Sequence, residues 1–446
     1  MTPRLITAPQ RYPASYYQRD WVLACRDATS FWSTPLAWDL YGPVEPELLT
    51  RALAELVERH DALRTAFRTR GRDVEQLVWP SVDVQLHTVD LAGTANPVAE
   101  LEDRLVREAE RPRLLDRPPL WHVQLLRLRP GQHVLAMFIH HLVFDGWSHG
   151  VLHDELVRCL RAAVRGRPPR LPALHLGVGE FASYERTLRD RDAERWWSDQ
   201  LAALPPVAPP PLGGRFVSCP LPPVPPETGE DLQQLADEVG VGVNEALLAT
   251  VVAVRRLEVG DDVVIGVTRA RRDEPESRRV IGPLLDHLPV RVDTSGGITV
   301  GELLERVHQS YRAARRRTLP LGLIRQAVRS DLAATGGRLF DTRYNYMPSA
   351  SSGEAVLDGP DGALRIVPRA IDPARQRPRH TEDHPEVLPL SINLHHQRDG
   401  QLTGAVCGHD GVYPGAALAE LGEGLVATLD RIVRGGSGQR LPGGAG

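Results

Sequence analysis

His140-His141-Leu142-Val143-Phe144-Asp145-Gly146 is the stretch from which this 446-residue chain is best read. Immediately before it, Val134-Leu135-Ala136-Met137-Phe138-Ile139 is an apolar run of strand length, preceded by the turn signal Arg129-Pro130-Gly131-Gln132. Residues 121–128 alternate roughly between apolar and polar. The two runs therefore predict a hairpin that delivers a pair of histidines to a strand end. Downstream, residues 151–164 have helical periodicity that stops at Gly166. A rigid strand end, a tight loop and a helix behind it suit a side chain that must be held in place.

The residue types suggest what is being held. Imidazole, with an unperturbed pKa of ~6.5, is the side chain best matched to accept a proton from an attacking group near neutral pH. Neighbouring residues on extended backbone point to opposite faces, so His140 and His141 are expected to divide the work. His141 is assigned to the cleft as general base and His140 to the packing behind it. Gly146 closes the motif with a residue that lets backbone approach a ligand closely. Asp145 has two readings: it orients His141, or it pairs with an arginine that holds the loop. A buried carboxylate without a partner is costly, which favours the ion pair. Metal binding is not expected, because the two rings diverge and no His-x-x-x-His or Glu-x-x-His helix supplies further ligands here. A near-copy, His395-His396-Gln397-Arg398-Asp399-Gly400, reads as a strand end entering an Asp-Gly turn, a purely structural use of the same residues.

Other segments give the motif its context. Along nearly its whole length the chain resembles the condensation domain of nonribosomal peptide synthetases. Pro13-Ala14-Ser15-Tyr16-Tyr17-Gln18-Arg19 is similar to that family's Ser-x-x-Gln-Arg opening. Arg59-His60-Asp61-Ala62-Leu63-Arg64-Thr65-Ala66-Phe67 resembles its Arg-His-Glu-x-Leu-Arg-Thr-x-Phe segment. His140 to Gly146 with the trailing Trp147 and Ser148 resembles its central motif. Phe181-Ala182-Ser183-Tyr184-Glu185 with Arg195-Trp196-Trp197 is a loose fourth match, and Asp261-Asp262-Val263-Val264-Ile265-Gly266 leads into a fifth that ends Leu288-Pro289-Val290-Arg291. Departures occur at Asp286-His287, where the family usually has Asn-Thr, and at Thr318-Leu319-Pro320-Leu321-Gly322-Leu323, a reduced form of Gln-Asp-x-Pro-Phe-Glu.

The resemblance implies an α/β (α+β) fold of two chloramphenicol-acetyltransferase-like lobes in a V, with the active site between them. It offers Arg59, Arg64 and Arg291 as partners for Asp145, and places Asn345 and Asp286 in or beside the cleft. The expected lobes are residues 1–178, carrying the histidine motif, and 179–446. A Pro-rich stretch at 202–228 is read as linker-like, and residues 435–446 as a disordered Gly-rich tail.

Composition fits a globular enzyme: 42% hydrophobic, 25% charged and a net charge of −4. Nothing in that balance points to nucleic acid or an anionic membrane. The longest strongly apolar stretch, 246–254, is too short to span a bilayer, and the N-terminus lacks an apolar signal region. Cys25, Cys159, Cys219 and Cys407 show neither pairing motif nor metal spacing, as expected of cytoplasmic thiols. All 53 basic residues are arginine. Without lysine there is no P-loop lysine, Schiff base or lysine-assisted adenylation, so the acyl group is expected to arrive already activated.

The expectation is therefore a free-standing acyltransferase that moves an acyl or aminoacyl group from a carrier-protein thioester to an amine or hydroxyl. No cofactor is expected to be bound; the phosphopantetheine arm would come with a partner carrier protein. The alternatives are a coenzyme A-dependent acyltransferase of the same superfamily and a non-catalytic recruiting module. An epimerisation domain is disfavoured, because its Glu-Gly-His-Gly-Arg type segment is absent.

Overall fold

The apolar run before the histidines forms an inner strand of a sheet. In this computed structural model, which describes residues 8–25, 29–30, 32–204, 207, 214–328, 337–348, 353–359, 362–371, 379–380, 388–396 and 401–441, the first half of the chain runs β1 (Gln10–Pro13), α1 (Tyr16–Ala24), β2 (Thr29–Ser30), β3 (Ser33–Tyr41), α2 (Pro46–Arg59), β4 (Thr65–Arg70), β5 (Asp73–Val78), β6 (Leu86–Asp90), α3 (Pro97–Ala109), β7 (Arg113–Leu114), β8 (Trp121–Arg129), β9 (Gln132–His140), α4 (Gly146–Val164), α5 (Val178–Thr187) and α6 (Arg191–Gln200). The second half runs β10 (Arg215–Pro220), α7 (Pro226–Val239), α8 (Val243–Val259), β11 (Asp262–Ala270), β12 (Leu285–Asp293), α9 (Val300–Arg316), α10 (Leu321–Ala327), β13 (Thr342–Pro348), β14 (Ala355–Gly359), β15 (Gly362–Pro368), β16 (Arg379–His380), β17 (Leu390–His396), β18 (Leu402–His409) and α11 (Gly415–Gly435).

Two large sheets organise these elements. The first has the order β14-β15-β3-β9-β8-β6 and the second β12-β11-β13-β17-β18-β10-β16. Strand β9 is antiparallel to both β3 and β8. Its continuous apolarity has a physical cause, because both of its faces are covered. Leu135, Met137 and Ile139 join the core that includes α2 and α4, while Val134, Ala136 and Phe138 pack with Leu101 and Leu105 of α3. The second sheet packs one face on α8, α9 and α11 through residues such as Ile265, Val290, Tyr344, Ile392 and Val406. In β13 the alternate residues Arg343, Asn345 and Met347 turn to the other face.

Two α/β lobes are therefore present, but the chain does not divide cleanly at 178/179. Val178 at the start of α5 belongs to the core of the first lobe. Gly179 permits this close seating, since a Cβ there would lie 2.3 Å from the Tyr12 ring. The hairpin β14–β15 also crosses over and pairs with β3, Arg365 opposite Tyr41 and Pro368 opposite Trp38. The Pro-rich stretch is not simply a linker: β10 lies inside it, paired with β18 from Phe216 opposite His409 to Pro220 opposite Ala405. The tail is likewise structured at first. Leu441 is buried, its N–H donates to the Ile298 carbonyl at 3.1 Å, and Arg440 bridges to Thr299. Residues 1–7, 397–400 and 442–446, which carry the terminal readings and the Asp399-Gly400 turn, lie outside the described residues.

Candidate active site

His140 and His141 are separated because β9 ends at His140 and His141 opens a 3-10 turn over residues 141–143, so the strand alternation expected from the sequence stops between them. His140 is fully buried; its backbone N–H donates to the Leu120 carbonyl, and its Nδ1 accepts from the Leu142 N–H at 3.0 Å. His141 is only partly buried, with its backbone N–H on the Trp32 carbonyl at 2.9 Å. Its Nδ1 lies 3.1 Å from the Phe144 carbonyl. A carbonyl only accepts, so in the neutral ring this contact places the proton on Nδ1 and the lone pair on Nε2. The two rings thus hold opposite tautomers. Trp21 of α1 fixes both, with ring centroids 5.7 Å from His140 in an edge arrangement and 6.2 Å from His141 in a stacked one.

Asp145 makes no hydrogen bond to His141. Its carboxylate, 3% exposed, accepts from the Ser148 N–H at 2.8 Å and the Ser148 hydroxyl at 2.6 Å, capping α4. Arg272 Nη2 reaches both carboxylate oxygens at 2.9 Å, and the Leu284 N–H donates at 3.1 Å. Arg272 also donates to the carbonyls of Ser277, Val280 and Gly282. The ion pair expected from the sequence exists, but the three arginines offered for it are engaged elsewhere. Arg59 pairs with Glu155 at 2.9 Å, Arg64 with Asp61 at 2.7 Å, and Arg291 with Asp262 at 2.7 Å. Sequence reading missed Arg272, although Arg271-Arg272 sits between the two segments of the fifth resemblance. Its effect is to tie the histidine loop to residues 272–284, the connection between β11 and β12 of the second sheet, whose Val280, Ile281 and Leu284 pack into the core of the first lobe. Trp147 adds a tie, its half-exposed ring donating from Nε1 to the Arg278 carbonyl at 2.9 Å. Gly146 has no left-handed backbone; a Cβ there would meet Met347 Sδ at 3.5 Å.

That contact identifies what faces the motif. Met347, Asn345 and Arg343 share one face of β13, and by register Ser391, Asn393 and His395 of β17 continue it. Asn345 donates to Asn393 Oδ1 at 3.3 Å, and Asn393 donates to Ser391 Oγ at 3.4 Å and to Cys407 Sγ at 3.6 Å. On the same face Phe216 of β10 meets Trp32 with ring centroids 6.3 Å apart. A polar row on the second sheet therefore confronts the histidine loop of the first. His395 of the near-copy belongs to this row, and burial holds its pKa below the usual value.

The two departures from the family pattern touch each other. Asp286 Oδ2 accepts from the Leu321 N–H at 2.8 Å, at the start of α10. Burial pushes the Asp286 carboxyl up despite Arg271, whose guanidinium is bonded to Glu185, itself raised by burial. Glu185 Oε2 accepts from the Tyr16 N–H at 2.7 Å, so the cluster links α1, α5 and β12. Among the described residues no group of His, Cys, Asp and Glu is arranged to hold a metal ion. No helix among them is long and apolar enough to cross a membrane.

With this geometry in place, comparison is informative. Residues 8–359 match the condensation domain, and the chain belongs to that family. It is 30% identical over 422 residues to the phosphinothricin tripeptide synthetase PhsC of Streptomyces viridochromogenes, covering 90% of this chain and 37% of that protein. It is 31% identical over 377 residues to malpinin synthetase of Mortierella alpina, covering 80% of this chain and 5% of that protein. The chain thus spans well under half the length of these relatives. Among solved structures, the X-domain from teicoplanin biosynthesis superimposes with a TM-score of 0.82 at 23% identity, covering 98% of both chains. SgcC5 from Streptomyces globisporus gives 0.79 at 20%, covering 96% of this chain and 100% of that one. The two lobes have the chloramphenicol-acetyltransferase-like fold of these structures, in keeping with the chain's place in the condensation-domain family.

Proposed function

We propose that this chain transfers an acyl or aminoacyl group from a carrier-protein thioester to an amine or hydroxyl, with His141 as general base. The observation that carries this reading is the contact of His141 Nδ1 with the Phe144 carbonyl. With Nδ1 on the Phe144 carbonyl, the neutral ring carries its proton there and Nε2 is the nitrogen able to accept one. The nucleophile gives its proton to Nε2 as it bonds to the thioester carbonyl carbon, the carbon–sulfur bond breaks, and the thiolate leaves on the pantetheine arm carrying a proton returned through His141. Asp145 and Arg272 are positioning residues that fix the loop, and Trp21 fixes the ring. The arm would enter with a carrier protein, so no cofactor resides in the chain.

A recruiting role is the second reading, favoured by the likeness to the X-domain, whose complex with OxyB has been solved. The retained histidine pair and the Nδ1 contact of His141 support catalysis instead. The test mixes the protein with an acyl-loaded carrier, or with acyl-coenzyme A, and a panel of amines and alcohols, and follows the carrier by intact-mass spectrometry. Unloading onto one nucleophile class decides between amide and ester. Turnover with coenzyme A thioesters alone would replace the carrier-dependent reading, and inertness toward every donor would favour recruitment.

A further inference from the structure

Buried and half-buried arginines in this protein generally have carboxylate partners. Arg255 pairs with Asp341, Arg256 with Asp261, Arg271 with Glu185, Arg272 with Asp145 and Arg291 with Asp262. Arg343, like Arg113 and Arg338, has no such partner among the described residues. It lies in the polar row of β13 that faces the histidine loop, two residues from Asn345 and four from Met347. It is half-buried, and among the described residues no carboxylate pairs with it. Its Nε donates to Ser391 Oγ at 3.1 Å. Ser391 is 1% exposed, and its hydroxyl also accepts from Asn393, so the anchor is itself held within the sheet. Beside Arg343 in the register, Gly266 of β11 adds no side chain, and its Cβ position is filled by the Phe340 ring. One edge of the guanidinium is therefore pinned, while the two Nη groups keep donors that no described residue engages. A planar guanidinium fixed in this way is suited to a two-point grip on a carboxylate or phosphate.

We propose that Arg343 is an anion-binding, specificity-determining residue of the cleft, gripping an oxyanionic group of the substrate, a carboxylate on the acceptor or the phosphate of the pantetheine arm. Asn345 and Asn393, next along the same row, would hydrogen-bond the uncharged part of that substrate between Arg343 and His141. This inference rests on the transfer reading, because it assigns the anion to a transfer substrate.

The test compares free amino acids and hydroxy acids with their methyl esters as acceptors, and loaded carrier with the phosphate-free acyl-N-acetylcysteamine thioester as donor. Each pair is run with wild type, Arg343→Gln and Arg343→Lys, and melting curves check that each variant folds. The wild type is expected to favour one anionic member by ~10- to 100-fold in kcat/KM, expressed mainly in KM, the size of a charge-assisted contact. That ratio should collapse toward one in Arg343→Gln and recover partly in Arg343→Lys. Collapse of the acceptor ratio assigns the anion to a carboxylate, and collapse of the donor ratio assigns it to the arm phosphate. A wild type that shows no preference in either pair overturns the proposal, whether or not the variants fold. Calorimetric titration of the wild type with the same acids and esters reads the preference without turnover. Absent transfer with retained discrimination would tell against the transfer reading, and absent discrimination against Arg343.

Discussion

Two groups of one motif, His141 and Asp145, do unlike things, and substitution should separate them. His141 is partly exposed and held by the chain around its loop. His141→Ala should leave the melting temperature within a few degrees while lowering the transfer rate by ~10²- to 10⁴-fold, the usual worth of a general base. Asp145 and Arg272 form a buried pair, with side-chain exposures of 3% and 1%. Removing either partner strands the other charge, so Asp145→Ala and Arg272→Ala should each destabilise by about 3–5 kcal/mol. The double variant should cost far less than the sum, and denaturant melts of the cycle measure this. The delivery of the histidine pair to a strand end and an ion pair at Asp145 were legible in the sequence through the apolar run and burial cost, whereas the 3-10 turn that opens at His141 was not. Arg272 was not either, because the partners lie 127 residues apart, and no local spacing encodes a contact that only the assembled fold creates.

At the level of elements, periodicity was a good guide wherever a face is uniformly covered. The β8–β9 hairpin and the helix after it were legible because β9 is buried on both faces and α4 has one apolar side. The hairpin β14–β15 was not, because it is short and completes a sheet whose other strands come from the opposite end of the chain. The same limit applies to β10, where a proline-rich composition outweighed a strand that pairs along its length with residues 405–409. Arg369 clasps the exit of the crossover hairpin, donating to Asp39 at 2.9 Å and lying 3.6 Å from Glu102. Arg369→Ala should therefore speed amide hydrogen exchange in β14 and β15 while leaving β8 and β9 protected. Unchanged exchange in β15 would show that strand pairing with β3 alone holds the crossover.

For the whole molecule, the clearest acid-sensitive contact lies outside the cleft. His122 on β8 stacks on Phe138 with centroids 4.6 Å apart, between Arg113 and the Glu108 carboxylate, 2.8 Å away. Burial, with Arg113 beside it, brings its pKa down to about 4. The folded protein therefore holds this imidazole neutral where the unfolded chain, with a pKa of ~6.5, already binds a proton. Its contribution to stability is complete above that unfolded value and is lost as pH falls from ~6.5 toward the folded value. The wild type should melt progressively lower across that interval, and His122→Phe, which retains the stack, should flatten the slope. An unchanged slope would place the acid sensitivity elsewhere.

The assembly of the two lobes matters chiefly because it sets the histidine loop opposite a polar row, through Gly146 and Met347, and leaves Asp145 to structure. Single-turnover transfer from an acyl-loaded carrier, read by mass on both carrier and acceptor in wild type and His141→Ala, tests that arrangement most directly. The account predicts acyl mass leaving the carrier and appearing on the acceptor, at least ~100-fold slower in the folded variant. Equal rates in the two proteins, or a carrier that stays loaded with every acceptor offered, would contradict it.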